Sequence, residues 1–137
     1  CEADTVVLVH DAARPLTPPQ VTERVIDAVA GGAGAVIPVL PVTDTLKTVD
    51  ASGVVVGTPR RSDMVAVQTP QGFRWDVLIR AHEEGASLGA DEARAATDDA
   101  GLVEAIGGTV HTVAGDERSM KVTRPLDLAL AQILVAE

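Results

Sequence analysis

The stretch that decides the fold is residues 5–42, TVVLVHDAARPLTPPQVTERVIDAVAGGAGAVIPVLPV. It opens on an unbroken apolar run, Val6 to Val9, of the kind that forms a strand covered on both faces. Prolines then introduce a segment in which Val21, Val25, Ala28 and Val29 fall on one helical face, and Gly31-Gly32 stops it. A second apolar run, GAVIPVLPV, follows. Strand, helix, strand in that order predicts a right-handed crossover and a parallel sheet. The class is α/β.

The first strand runs straight into His10, Asp11 and Arg14. In parallel α/β sheets, ligands bind beyond the carboxyl ends of the strands, and this charged pair sits at such an end. One reading is a metal- or hydroxyl-binding carboxylate beside an anion-binding guanidinium. The other is a local salt bridge that closes the turn before Pro15.

Downstream, TDTLKTVDASGVVVGTPRR holds two β-rich runs around Asp50-Ala51-Ser52-Gly53, a hairpin signal. Thr43, Thr45 and Lys47 share one polar face, so the spacing predicts an exposed two-stranded arm over about residues 43–61. A lone hairpin is marginal in water, which predicts that the arm packs on something, such as a second subunit. MVAVQTPQGF reads as a buried strand ending in a Thr-Pro turn, and a helix is expected over about 74–84. TDDAGLVEAIGG carries a helix signature with Thr97 as N-cap and Gly107 as stop. TVHTVAG is a short strand, and PLDLALAQILVAE is a final helix, apolar almost all round and so expected to be mostly buried. No linker or repeat divides the chain, which reads as a single domain over 1–137.

Net charge is −9, so a nucleic-acid partner is not expected: phosphate backbones demand a basic face. A small phosphorylated ligand needs only a few basic groups. Lys121 and Arg124 in SMKVTRP, and Arg60 and Arg61 in TPRR, could supply them, or could be solvated charges. No apolar run is long enough to cross a bilayer, and a membrane partner is not expected. A single cysteine fits a reducing, cytoplasmic compartment, and with three scattered histidines it argues against a zinc site. No glycine-rich phosphate loop of the P-loop or dinucleotide-binding type occurs in these residues.

Taken in order, VLVHDAARP, PVTDTLK, VQTPQGF, TDDAGLVE and KVTRPLDLALAQ resemble the 2-C-methyl-D-erythritol 4-phosphate cytidylyltransferases. The likeness spans nearly the whole chain. It implies a Rossmann-like α/β fold, with a mostly parallel sheet flanked by helices and a protruding β-hairpin dimerisation arm. It also implies transfer of CMP from CTP to 2-C-methyl-D-erythritol 4-phosphate with release of pyrophosphate, in the non-mevalonate isoprenoid pathway. Mg²⁺ and a homodimer joined through the arm come with it.

By the same resemblance, Asp11 is a catalytic residue that binds substrate and metal, and Lys121 is a second catalytic residue that offsets phosphate charge. Ala12 lies on the nucleotide's side. Arg14, Thr45, Arg61, Thr69 and Thr97 are the substrate-binding positions, with Thr45 and Arg61 reaching across the dimer. The family's glycine-rich loop, which holds the triphosphate, has no counterpart in this sequence. The chain, which opens without methionine, is therefore expected to be the later part of a nucleotidyltransferase domain. Two rival readings follow: a related cytidylyltransferase acting on ribitol 5-phosphate, and a non-catalytic dimerisation fragment.

Overall fold

The computed structural model describes residues 2–87 and 97–136. Strand β1 (Val6–Val9) leads through helix α1 (Pro19–Ala30) to strand β2 (Ala35–Pro41). A hairpin of β3 (Thr48–Val49) and β4 (Val55–Gly57) follows, then β5 (Val65–Val67) and β6 (Gln71–Arg74). Helix α2 (Trp75–Gly85), helix α3 (Asp99–Ala105), strand β7 (His111–Ala114) and helix α4 (Pro125–Ala136) complete the order.

β1 and β2 do run in one direction, as strand–helix–strand requires, but they do not pair. β6 lies between them, antiparallel to both. β5 continues along β2 antiparallel, and only β7 pairs with β2 in parallel. The sheet is therefore mixed, and the expected mostly parallel pairing is corrected. The physical reason is the segment Val65–Arg74: it returns antiparallel along β2 and fills the gap that the α1 crossover leaves open.

Alternation along β2 divides the core between two faces. Ala35 and its cross-strand neighbour Phe73 point to a cluster with Leu78, Ala81, Ala100 and Val103 from α2 and α3. Val36 points the other way, to Val25 and Val29 of α1. Phe73 is the one phenylalanine of the chain and is fully buried, so this aliphatic core turns on a single large ring. On the α1 face, Gly72 lets the helix rest on bare backbone: a Cβ there would run into Val25.

Three expectations of burial change. β1 is an edge strand of the described sheet, with Leu8 and Val9 exposed. β5 is exposed throughout, and the buried part of the predicted strand is β6. In α4 only Asp127 and Ala131 are buried, whereas Leu126 is 74% exposed and Val135 68%. An all-apolar helix pattern calls for cover on every side, and the described residues reach only one.

The predicted hairpin forms a separate two-stranded sheet of β3 and β4. Asp50 Oδ1 shapes its turn by accepting from the backbone N–H groups of Ser52 and Val54. Val49, Val54, Val55 and Val56 are all exposed.

Asp127 tethers the start of α4. Its carboxylate accepts from the Arg124 guanidinium, at 3.1 Å, and from the backbone N–H groups of Thr123 and Arg124. These bonds, the Arg124 side chain first, hold its pKa at about 2, below the usual 3.8. A carboxyl depressed on folding stabilises the fold above its unfolded pKa, and that stability is lost as pH falls through the folded one. Thermal melts of the native chain should therefore lose Asp127's share between about pH 4 and 2. In D127N that share is missing at pH 7, and the two melting curves should converge in acid. A constant gap across the range would refute this assignment.

Candidate active site

The carboxyl end of β1 opens into a cleft of about 330 Å³ lined by Asp11, Arg14, Gln68, Thr69, Gln71, Thr97, Asp98, Asp99 and Lys121, among others. Four separate segments converge there: the turn after β1, the junction between β5 and β6, the N-terminus of α3, and the segment before α4. Of the residues expected from sequence, Asp11, Arg14, Thr69, Thr97 and Lys121 line this cleft. Ala12 is exposed on the turn beside Asp11.

Thr45 and Arg61 lie elsewhere. Thr45 is exposed at the base of the arm. Arg61 opens a short 3₁₀ turn, donates to the Thr43 carbonyl at 2.9 Å, and lines a separate, mostly apolar depression with Met64 and Val65. Neither residue borders the Asp11 cleft of its own chain.

Asp11 is the electrostatic centre. Lys121 Nζ lies 3.1 Å from its Oδ2, and Arg14 Nε 3.4 Å from the same oxygen. The Asp11–Arg14 pair is a local salt bridge, but not only a local one. Arg14 does close the local turn, its backbone N–H donating to the Asp11 carbonyl, but its guanidinium also donates to the Ser119 carbonyl at 2.6 Å. Val122 N–H donates to the Ala13 carbonyl, so the Ser119–Val122 segment is strapped along the Asp11 turn. That strap is why a lysine more than a hundred residues away in sequence reaches Asp11.

The backbone of Asp11 is fixed by Thr69, whose hydroxyl accepts the Asp11 N–H at 3.0 Å and lies 2.8 Å from His10 Nδ1. A cis peptide joins Thr69 to Pro70. The cap of α3 is Asp98, not Thr97: its Oδ1 accepts from Gly101 N–H at 2.7 Å. Thr97 is left one residue outside the helix, exposed at the cleft rim. A carboxylate caps at least as well as a hydroxyl, so the second position wins. The aspartates at this end are already engaged, Asp98 with Gln71 and Asp99 with His82, at 2.8 and 2.7 Å.

Sequence reasoning passed over Gln68 and Gln71, because VQTPQGF carries no charge and reads as a turn. Both are buried, and both bond across the cleft floor. The signal was there: amides inside an apolar strand run must find partners.

Comparison with known proteins identifies the relationship. The family model described as 2-C-methyl-D-erythritol 4-phosphate cytidylyltransferase matches residues 1–137. The chain belongs to that family. It is 54% identical over 131 residues to the 2-C-methyl-D-erythritol 4-phosphate cytidylyltransferase of Rhodococcus jostii, covering 96% of this chain and 55% of the relative. It is 58% identical over 132 residues to that of Frankia casuarinae, covering 96% of this chain and 47% of the relative. Among solved structures, the enzyme of Thermus thermophilus superposes with a TM-score of 0.79 at 40% identity, over 96% of this chain and 62% of that one. The Francisella tularensis enzyme gives 0.85 at 28%, over 96% and 60%. The chain thus spans about half the length of the curated relatives it matches.

The hydrogen bond from Lys121, helped by its charge and that of Arg14, holds the Asp11 carboxyl below its usual value against the opposing effect of partial burial. The Lys121–Asp11 pair is well exposed, so its share of fold stability is only about 0.2–1 kcal/mol. Its consequence lies in the state of the carboxylate. In K121A the Asp11 carboxyl should titrate at higher pH than in the native chain, with little change in melting temperature. Carboxyl-carbon NMR titration reads this directly, and an unmoved Asp11 midpoint would remove Lys121 as the cause.

Proposed function

We propose that the protein transfers CMP from CTP to 2-C-methyl-D-erythritol 4-phosphate, releasing pyrophosphate, as a member of its family in isoprenoid biosynthesis. The observation that carries this reading is Asp11 held between Arg14 and Lys121 in a cleft beside Thr69 and Thr97. The support is twofold: family membership, and a cleft whose basic groups suit a phosphorylated ligand in a chain that is otherwise strongly acidic.

A phosphate oxygen of the acceptor attacks the α-phosphorus of CTP in line. A new P–O bond forms, the bond to the bridging oxygen of the β-phosphate breaks, and pyrophosphate leaves with that electron pair. No covalent protein intermediate is needed. Catalysis is positioning plus stabilisation of charge. Lys121, half-exposed at the cleft, offsets negative charge that builds on the phosphoryl oxygens. Arg14, 13% exposed, commits its guanidinium to Asp11 and Ser119 and so acts first as the brace of the Asp11 turn. Thr69 and Thr97 offer hydroxyls to the acceptor.

Mg²⁺ fits a site of this kind. No cluster of three or more acidic, histidine or cysteine side chains suited to a metal occurs among the described residues. Magnesium, however, is usually held by one or two carboxylates with water and substrate phosphates. Asp11 would supply that carboxylate, because Arg14 and Lys121 both converge on its Oδ2 and leave its other oxygen unengaged among the described residues. When bound, the ion would neutralise triphosphate charge.

The arm is proposed to pack against a second copy, which would bring Thr45 and Arg61 to the partner's cleft. The exposed valines of the hairpin support this, since two strands alone are marginal in water. A cytoplasmic location is proposed from the single cysteine; among the described residues no helix is long and apolar enough to cross a membrane.

In the intact protein, D11A or K121A should lower turnover of CTP with 2-C-methyl-D-erythritol 4-phosphate by about 10²–10³, the usual loss for one preorganised group. Near-native turnover would refute these roles. For the arm, an R61A subunit mixed with a D11A subunit should recover part of the activity that either lacks alone. No recovery would argue against a site shared between copies.

A further inference from the structure

Thr69 sits between two buried glutamines, 5% and 3% exposed, whose amides reach in different directions. Gln68 Nε2 donates to the Asp116 carbonyl at 2.9 Å, and its Oε1 accepts the Asp116 N–H at 3.0 Å. That is a two-bond clamp on the backbone of the segment leading to Lys121. Gln71 Nε2 donates to Asp98 Oδ2 at 2.8 Å, and its Oε1 accepts the Ala100 N–H at 3.2 Å. That is a second two-bond clamp, on the first turn of α3 beside Thr97. Thr69 itself holds the Asp11 N–H.

We propose that Gln68 and Gln71 are positioning residues for cytidylyl transfer, setting the Lys121 segment and the Thr97–Asp98 turn against Asp11 from one short stretch of chain. The inference rests on the function proposed above. A planar amide that both donates and accepts lets Gln68 match the N–H and C=O of one residue and Gln71 match a carboxylate and a backbone N–H, which no charged or aliphatic side chain of that size can do. Steric fit supports the first clamp: Gly115 brings its backbone so close that a Cβ there would collide with Gln68 Oε1. Leucine in place of either glutamine keeps the bulk and removes both bonds. The segment then loses its fixed distance to Asp11, and small misplacements of a reacting group are expensive in rate.

The roles separate by which segment each amide holds. Q68L should lower kcat about 10- to 100-fold, with the smaller effect on KM, because Lys121 acts on the charge of the reaction. Q71L should mainly raise the KM for the acceptor phosphate, because Thr97 faces substrate. The decisive measurement is a double-mutant cycle in the intact protein, assayed well below each variant's melting temperature. Q68L combined with K121A should cost little more than K121A alone, since the clamp works through that lysine. Costs that multiply would overturn the proposal, as would Q68L with native kcat.

Hydrogen exchange supplies a readout that does not require turnover, so a failure of the proposed function is distinguishable from a failure of the clamps. Exchange in Q68L should quicken at residues 116–122 and stay native at 98–105, with the reverse in Q71L. No local change, or the same change across the whole sheet, would show that the amides are only core filler. If Q68L does not fold, G115A displaces the same amide from the other side and should give the same kcat loss and the same exchange pattern. Native behaviour of G115A would count against the proposal.

Discussion

The cleft depends on one strand, β6, lying antiparallel between β1 and β2. Phe73 joins the sheet to α2 and α3 on one face, and Gly72 lets α1 settle on the other. Truncating a buried phenylalanine commonly costs about 3–5 kcal/mol, a large part of the total stability of a small domain. Because β6 is central, its first residue and those just before it are central as well. Gln68, Thr69 and Gln71 sit where the other three cleft segments can be reached, and each reaches a different one. Rigidity at the cleft floor is thus inherited from the core rather than built separately.

How much of this was legible in the chain varied with the range of the interaction. Local signals read well. Proline before α1, glycine after it, the Asp50–Gly53 turn and the Gly107 stop all act within a few residues, and the helices lie where those signals put them. Pairing did not read well. The run Val6–Val9 has the composition of a strand covered on both sides, yet it lies at the edge of the described sheet, because composition does not say which strand comes between. The same limit explains α4. Apolar pattern measures the demand for cover, and cover is a property of neighbours.

At the site, type and spacing identified Asp11 and Arg14 as worth attention, and left open whether the pair was local or functional. The structure shows why that choice was unresolvable from spacing. Arg14 bonds Asp11 three residues away and the Ser119 carbonyl over a hundred residues away, so the pair is tied to a segment that spacing cannot reveal. Lys121 joins them because Arg14 and the Ala13 carbonyl strap its segment down, with Gln68 clamping that segment at Asp116. Thr97 went the other way. The cap signature was real, but a stronger capping side chain stood next to it at Asp98.

Three aspartates of the chain show what separates a structural carboxylate from an available one. Asp98 caps α3, Asp127 lies in the first turn of α4 and Asp11 follows β1, and each is identical as a letter. Asp98 and Asp127 each commit one oxygen to backbone N–H groups at a helix start, where a negative charge is favoured, and the other to a side chain, Gln71 or Arg124, so a ligand finds little left to bind. Asp11 commits its side chain to no backbone group among the described residues. Its N–H is satisfied by Thr69, and its carboxylate meets two cationic side chains from separate segments in an open cleft. Side-chain partners can move when a ligand arrives, whereas backbone partners at a cap cannot move without unwinding the helix. That difference in what must be broken, rather than the difference in pKa, separates Asp11 from the two capping carboxylates and supports the role proposed for it.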